Sequence, residues 1–237
     1  MLNKLRLLYS TARKTSRGGF TLVELLVVIG IIAILAGVAL GPITRGIKQA
    51  QENATVQVSH QIGVLEFAYS NDYNQVYPFA TTGRGIADLL LNGGYTSTPT
   101  LFYVANTPGA TKYTGANSPY NMTAASATTE NWDFMVANSG GTAGLTTSSS
   151  DATPLVELQG GSTTYTMAAS APTAGIPLTV TTSSTAFGAD GIAVYYKGNN
   201  AKFLKGSIGA GTSATIAGWI DSTFNDPNGA NYALVHP

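Results

Sequence analysis

What chemistry the sequence can offer rests on its acidic residues and two histidines, because it contains no cysteine. Glu130, Asp133 and Glu157 can be drawn as a carboxylate pair, the arrangement glycoside hydrolysis requires. No nucleophile motif, base or metal-ligand set stands near them, so that chemistry lacks its other parts and an enzymatic reading is not favoured. His60 and His236 are the only imidazoles, which excludes multi-histidine metal sites and most histidine-based catalysis. The stretch "DSTFNDPNGANY" gathers Asp221, Asn225, Asp226 and Asn228 within eight residues. Calcium takes six to eight oxygen ligands, which makes Asp221, Asp226 and Asn228 calcium candidates. Their spacing is not that of an EF-hand, and Asp and Asn are equally ordinary turn formers. The remaining anomaly is Glu24, a carboxylate at the fifth position of an apolar run from Phe20 to Gly41. At mid-bilayer such a group costs roughly 2.5–3.5 kcal/mol. It must therefore lie near an interface, be paired, or belong to a signal.

Residues 20–41 are apolar except for Thr21 and Glu24. As a helix they reach about 33 Å, enough for a hydrocarbon core of roughly 30 Å. Five basic residues (Lys4, Arg6, Arg13, Lys14, Arg17) and no acidic ones precede Phe20, whereas seven basic residues face twelve acidic ones from there on. That asymmetry predicts a cytoplasmic N-terminus and a carboxyl-terminal bulk across the membrane. The charge balance carries no basic patch with aromatic or motif support, so no nucleic-acid partner is expected. An ordinary secretory signal peptide fits poorly. Its basic region and apolar core would both be long, and Pro42 would follow the small pair Ala39 and Gly41 that mimics a cleavage site. A simple uncleaved anchor explains the length but not Glu24 or the Gly18-Gly19-Phe20 junction.

Beyond Pro42 the pattern turns amphipathic. Ile43, Ile47, Ala50, Ala54, Val58, Ile62, Leu65 and Tyr69 recur at three- and four-residue steps, with polar residues elsewhere, and "SNDYN" supplies a stop near Asn71. The spacing predicts one helix of about 78 Å from Phe20. A short helix over Ile86–Leu91, opened by Gly83-Arg84-Gly85 and closed by Asn92-Gly93-Gly94, should follow. Candidate strands are Pro154–Leu158, Thr163–Met167, Pro177–Thr182 and a hairpin over "GIAVYYKGNNAKFL", with 139–151 as a surface loop. Trp132 and Trp219 read as core or interface aromatics, and His60 as solvated on the helix. With only 10% charged residues and abundant Gly, Ser, Thr and Asn after residue 90, the second part reads as an exported, β-rich surface.

The segment "GGFTLVELLVVIGIIAILAGVAL" resembles the N-terminal signal of type IV pilins and of type II secretion pseudopilins. The resemblance implies a basic leader, residues 1–19, cut by a prepilin peptidase between Gly19 and Phe20, with methylation of the new Phe20 amine. It implies that 20–41 first anchors the subunit in the membrane and then packs in a filament core with other copies of the chain and minor pseudopilins, on an inner-membrane assembly platform. Glu24 would pair there with the Phe20 amine of a neighbouring subunit and select axial register. Gly37 and Gly41 form a small-xxx-small pair for close helix packing. Pro42 stands one residue later than the proline of this family, so the Gly41-Pro42 pair is expected to bend or locally melt the helix. The segment 73–95, with its Tyr-Pro, is similar to the one after the long helix in major pseudopilins. "SDATPLVEL" and "DGIAVYYKGNNAKFL" resemble late segments of pseudopilin-like proteins of planctomycete and verrucomicrobial type. Major pseudopilins often bind calcium in a C-terminal loop, which adds to the case for Asp221, Asp226 and Asn228; no cofactor is otherwise implied.

The expected architecture is therefore α+β: a helical spine over 20–72, transmembrane or filament-core over 20–41, packed on a small antiparallel β-rich domain over 73–237. The expected function is that of a structural subunit in a secretion pseudopilus, anchored in the bacterial inner membrane with its globular domain outside. The alternatives are a type IV pilin for adhesion, motility or DNA uptake and, in another class, a simple membrane-anchored binding module.

Overall fold

The computed structural model describes residues 19–115, 119–124, 129–137, 144–159, 166–167, 175–181, 183, 185–208, 212–220, 224 and 232–237. The fold is α+β, a long N-terminal helix followed by a curled antiparallel sheet. The chain divides into two compact units, the first ending at Lys48 and the second running from Gln49 to Pro237.

Helix α1 spans Leu22–Asp72, 51 residues, close to the expected spine. It continues through Pro42 without losing helical structure, so the expected local melting does not occur. Nearby, the Thr44 hydroxyl donates to the carbonyls of Leu40 (3.1 Å) and Gly41 (2.9 Å). The helix stops because two consecutive residues, Asn74 (φ 54°) and Gln75 (φ 63°), take left-handed backbone, and Gln75 N–H closes on Ser70 O at 2.8 Å.

In the second unit, the face of α1 that is buried differs from the apolar stripe read in the sequence. The buried positions are Glu52, Thr55, Ser59, Ile62, Gly63, Glu66 and Ser70, again at three- and four-residue steps. Of the expected stripe only Ile62 belongs to them; Val58, Leu65 and Tyr69 flank the core half-buried, and Ala54 is exposed. At about 100° per residue the buried face is turned roughly 100° from the centre of that stripe. The reason is close approach. A Cβ added at Gly63 would lie 2.0 Å from Cδ1 and Cε1 of Tyr195, so the sheet supplies the bulk and the helix must be small there. His60 is half-buried, its ring edge-on to Tyr195 at 5.4 Å, which corrects the expectation of a solvated histidine.

Helix α2 covers Gly83–Asn92, as expected, and Thr82 caps it by accepting from Gly85 N–H. The strands are β1 (Trp132–Val136), β2 (Pro154–Leu158), β3 (Thr166–Met167), β4 (Ile176–Thr181), β5 (Gly191–Tyr196), β6 (Asn200–Ile208), β7 (Ser213–Ile220) and β8 (Tyr232–Val235). They form one sheet in the order β3-β8-β1-β2-β5-β6-β7-β4, and every pair is antiparallel. Strand β2 has the bounds read from the sequence, β4 and the β5–β6 hairpin lie within a few residues of theirs, and residues 163–165 fall outside the described residues. Gly191 opens β5 at φ 139°, with Leu204 O 1.9 Å from where a Cβ would stand, so only glycine fits.

Strands β1, β2, β5 and β8 are buried at every position, covered on both faces. Trp132 and Trp219 are fully buried core residues. Of the stretch expected as a surface loop, 139–143 lie outside the described residues; within 144–151, Leu145 is fully buried, its carbonyl accepts from Tyr77 N–H at 2.7 Å, and Thr146 bridges Val76. Its single large apolar side chain docks what its composition would leave in solvent.

Candidate functional site

Gly19 and Phe20 precede α1 and are exposed, Phe20 at 78%. Thr21 and Glu24 then make a reciprocal cap. Glu24 N–H donates to Thr21 Oγ1 at 3.2 Å, while Glu24 Oε2 accepts from Thr21 N–H and from its hydroxyl, both at 2.8 Å. This is a capping box, Thr-x-x-Glu ahead of an apolar run. It satisfies donors that a helix start leaves open and places the carboxylate at the positive end of the helix dipole. Glu24 therefore has a local partner that the sequence reading missed, although the Thr-x-x-Glu spacing announces it. One carboxylate oxygen takes both Thr21 donors, and the other accepts no hydrogen bond among the described residues.

From Leu22 to Leu40 the large apolar side chains are exposed, and α1 is long and apolar enough to cross a membrane. A Cβ added at Gly30, Gly37 or Gly41 would meet nothing within 4 Å among the described residues. At about 100° per residue these three glycines fall within about 20° of one line along the helix. Gly30 was not singled out in the sequence; it extends the Gly37–Gly41 pair into a small-residue face.

The second unit holds the other chemical candidates. Glu130, Asp133 and Glu157 are each at most 1% exposed, and Asp133 on β1 stands directly opposite Glu157 on β2. Glu130 Oε1 accepts from Trp132 N–H, Glu157 Oε2 accepts from Trp219 Nε1–H, and Asp133 Oδ1 lies 2.8 Å from His236 Nδ1. Burial pushes the Glu130 carboxyl well above the usual range, the Trp132 N–H opposes that, Asp133 adds to it and Arg84 opposes it. Burial raises Glu157 likewise, with Asp133 adding and Trp219 opposing. Two of the carboxylates that the sequence suggested, Asp133 and Glu157, are thus brought opposite each other inside the core. Among the described residues no group of three His, Cys, Asp or Glu side chains could hold a metal ion. The calcium candidates Asp221, Asp226 and Asn228 lie outside the described residues. On α1, Glu66 is 2% exposed and its Oε2 has no hydrogen-bond partner among the described residues; burial holds this carboxyl well above its ordinary value. Glu52, by contrast, pairs with Lys205 at 2.5 Å.

An exposed Gly-Phe junction, a carboxylate capped in the first helical turn and a helix long and apolar enough to cross a membrane thus stand together at the start of the described chain. Residues 14–40 match the family model described as the prokaryotic N-terminal methylation motif. The chain carries the prepilin-type signal of type IV pilins and pseudopilins. No curated protein and no solved structure matches the chain.

Proposed function

We propose that the chain is a structural subunit of a type II secretion pseudopilus-like filament. Prepilin peptidase cuts between Gly19 and Phe20 and methylates the Phe20 amine; residues 20–41 hold the subunit in the inner membrane until an assembly platform draws it into the filament. The single observation that carries this reading is the methylation motif over residues 14–40. The basic leader keeps the amino terminus cytoplasmic and sends the second unit outward. Cleavage creates an α-ammonium with a reference pKa near 8, one helical turn from Glu24. The free oxygen of that carboxylate takes the ammonium of a neighbouring subunit, and because an unpaired charge in an apolar filament core is strongly disfavoured, the pair selects axial register.

Two surfaces support assembly. The Gly30, Gly37 and Gly41 line lets backbones approach closely. In the second unit, the apolar positions of α1 that the sheet leaves exposed, Ala50, Ala54, Val64 at 43% and Phe67 at 49%, are available to other copies. Intact mass and N-terminal sequencing of the protein from native membranes tests the reading, with an assembly-ATPase deletion alongside. A chain that begins at N-methylated Phe20 and fails to form filaments in the deletion is expected. A chain that keeps residues 1–19 would leave only a membrane anchor. Dependence on a retraction ATPase, with surface fibres, would move the protein to the type IV pilins.

A further inference from the structure

The seam where β1, β2 and β8 meet holds more acid than it has cations to balance. Three carboxyl groups are buried there: Glu130 just before β1, Asp133 on β1 and Glu157 across from it on β2. Among the described residues, the charged and titratable groups set against them are Arg84 on α2 and His236 just past β8. Arg84 is one permanent cation, and His236, bonded to Asp133, carries charge only when protonated. Even with both charged, three carboxylates would leave one negative charge uncompensated inside the core, an arrangement proteins avoid by protonation. The geometry shows where the proton belongs. Asp133 has the imidazole at 2.8 Å, Glu130 has Arg84 and a backbone N–H, and Glu157 has only the Trp219 indole N–H on one oxygen. Its other oxygen, Oε1, has no hydrogen-bond partner among the described residues, and neither has Glu130 Oε2; what separates the two acids is the Arg84 cation, which opposes the burial of Glu130 and does not reach Glu157.

We propose that the second unit folds by taking up a proton at this seam, with Glu157 held as the neutral acid beside Asp133, so that the domain is a pH-responsive element that tightens on acidification and loosens at β1, β2 and β8 as pH rises. Below the carboxylate range of the unfolded chain, about 4.3 for Glu, both states carry the proton and the site is neutral to stability. Above it the unfolded chain ionises while the folded seam keeps its proton, so the folded state binds more protons and stability falls with rising pH. The loss ends once the pH passes the raised folded value of Glu157. This inference rests on the second unit alone and stands apart from the filament reading.

The test uses the full mature chain in detergent micelles. Trp132 and Trp219, its only tryptophans, are both fully buried and border the seam, so their fluorescence reports its opening. Thermal unfolding is followed from about pH 5.5 to 8.5, where each retained proton raises the unfolding constant about tenfold per pH unit. Glu157→Gln is expected to remove about one factor of ten per pH unit from that slope and to melt above wild type at the alkaline end. A wild-type curve flat in pH, or a Glu157→Gln curve with the wild-type slope, would overturn the proposal. Should that variant not fold, infrared spectra of the Glu66→Gln/Glu130→Gln protein decide at neutral pH. A surviving protonated-carboxyl band supports the neutral Glu157, and its absence refutes it.

Discussion

Replacing Gly63 by alanine tests whether α1 is seated on the sheet through its small polar face. The added Cβ would stand 2.0 Å from two ring carbons of Tyr195 and 2.7 Å from a third. Contacts under 3.0 Å force movement, and the ring cannot yield cheaply: Tyr195 is 3% exposed, lies within β5, packs edge-on to His60 and donates to Asn199 Oδ1 at 3.3 Å. Overpacking of this kind costs about 1–3 kcal/mol. Alanine returns about 0.8–1.0 kcal/mol through helix propensity, so the net loss is about 0–2 kcal/mol. For a unit of this size each kcal/mol moves Tm by about 2–4 °C, giving a fall of up to about 8 °C. Valine removes the ambiguity at the small end, since it adds two methyls to the clash without the full propensity gain. Gly46→Ala is the control, because a Cβ there meets nothing within 4 Å among the described residues. Differential scanning calorimetry of the three variants in one detergent reads the result. Gly46→Ala should be neutral or stabilising, Gly63→Ala lower, Gly63→Val lower still, and Tyr195→Leu should relieve part of the Gly63→Ala loss in a double-mutant cycle. If Gly63→Val matches wild type, the polar face of α1 does not dock on Tyr195 and the helix meets the sheet through a different face.

Glu66→Gln should stabilise the second unit at pH 8 and change little near pH 4.5 in thermal melts. The wild-type carboxyl is buried and its folded value raised, so wild type loses roughly 1.4 kcal/mol per pH unit between the unfolded and folded values. Trp219→Phe, which keeps the ring but removes the indole N–H, should cost about 1–3 kcal/mol by leaving both Glu157 oxygens without a donor, read as a shift in denaturant midpoint. Lys205→Met should cost under about 1 kcal/mol, because the lysine side chain is 66% exposed, and a larger drop would show Glu52 relies on that ammonium more than its exposure implies. Thr21→Val should leave leader processing intact by mass spectrometry yet increase hydrogen exchange in the first turn of α1, since two of the three capping contacts use the Thr21 hydroxyl.

The parts of this fold that were legible in the sequence are those decided locally. Unbroken apolarity fixes the first half of α1, turn chemistry at Asn74 fixes its end, and Thr82 with the Gly93 stop fixes α2. Strand β2 and the β5–β6 hairpin announce themselves through β-branched and aromatic residues between turn signals. Strands β1, β7 and β8 were not read. "WDFMV" carries an aspartate whose burial depends on His236, about a hundred residues away, and "SATIAGWI" has Gly218 at φ 69° interrupting its alternation. The acid seam was visible only as three residue names. What makes it a site is register, Asp133 opposite Glu157, and register is not a local property.

The displaced face of α1 links the fold to the proposed role. A helix that served only its own domain would turn its most apolar stripe inward, because burial of apolar area is the main stabilising term. Here the inward face carries Glu52, Thr55, Ser59, Gly63, Glu66 and Ser70, and the cost is visible at Glu66, whose carboxyl burial pushes well above its ordinary value. Small polar positions permit close seating on the sheet, while Val64 and Phe67 remain 43% and 49% exposed. Selection for the isolated subunit alone would remove both features, through an apolar residue at 66 and polar ones at 64 and 67. Under the proposed filament role, their joint presence fits a helix whose outer face is kept for contacts made after assembly. A Phe67→Lys substitution separates the two demands. The subunit itself should keep its melting temperature, because that side chain is half in solvent, whereas cross-linking between copies in native membranes should fall if the outer face is a subunit contact. Unchanged cross-linking would return the outer face of α1 to an ordinary exposed surface.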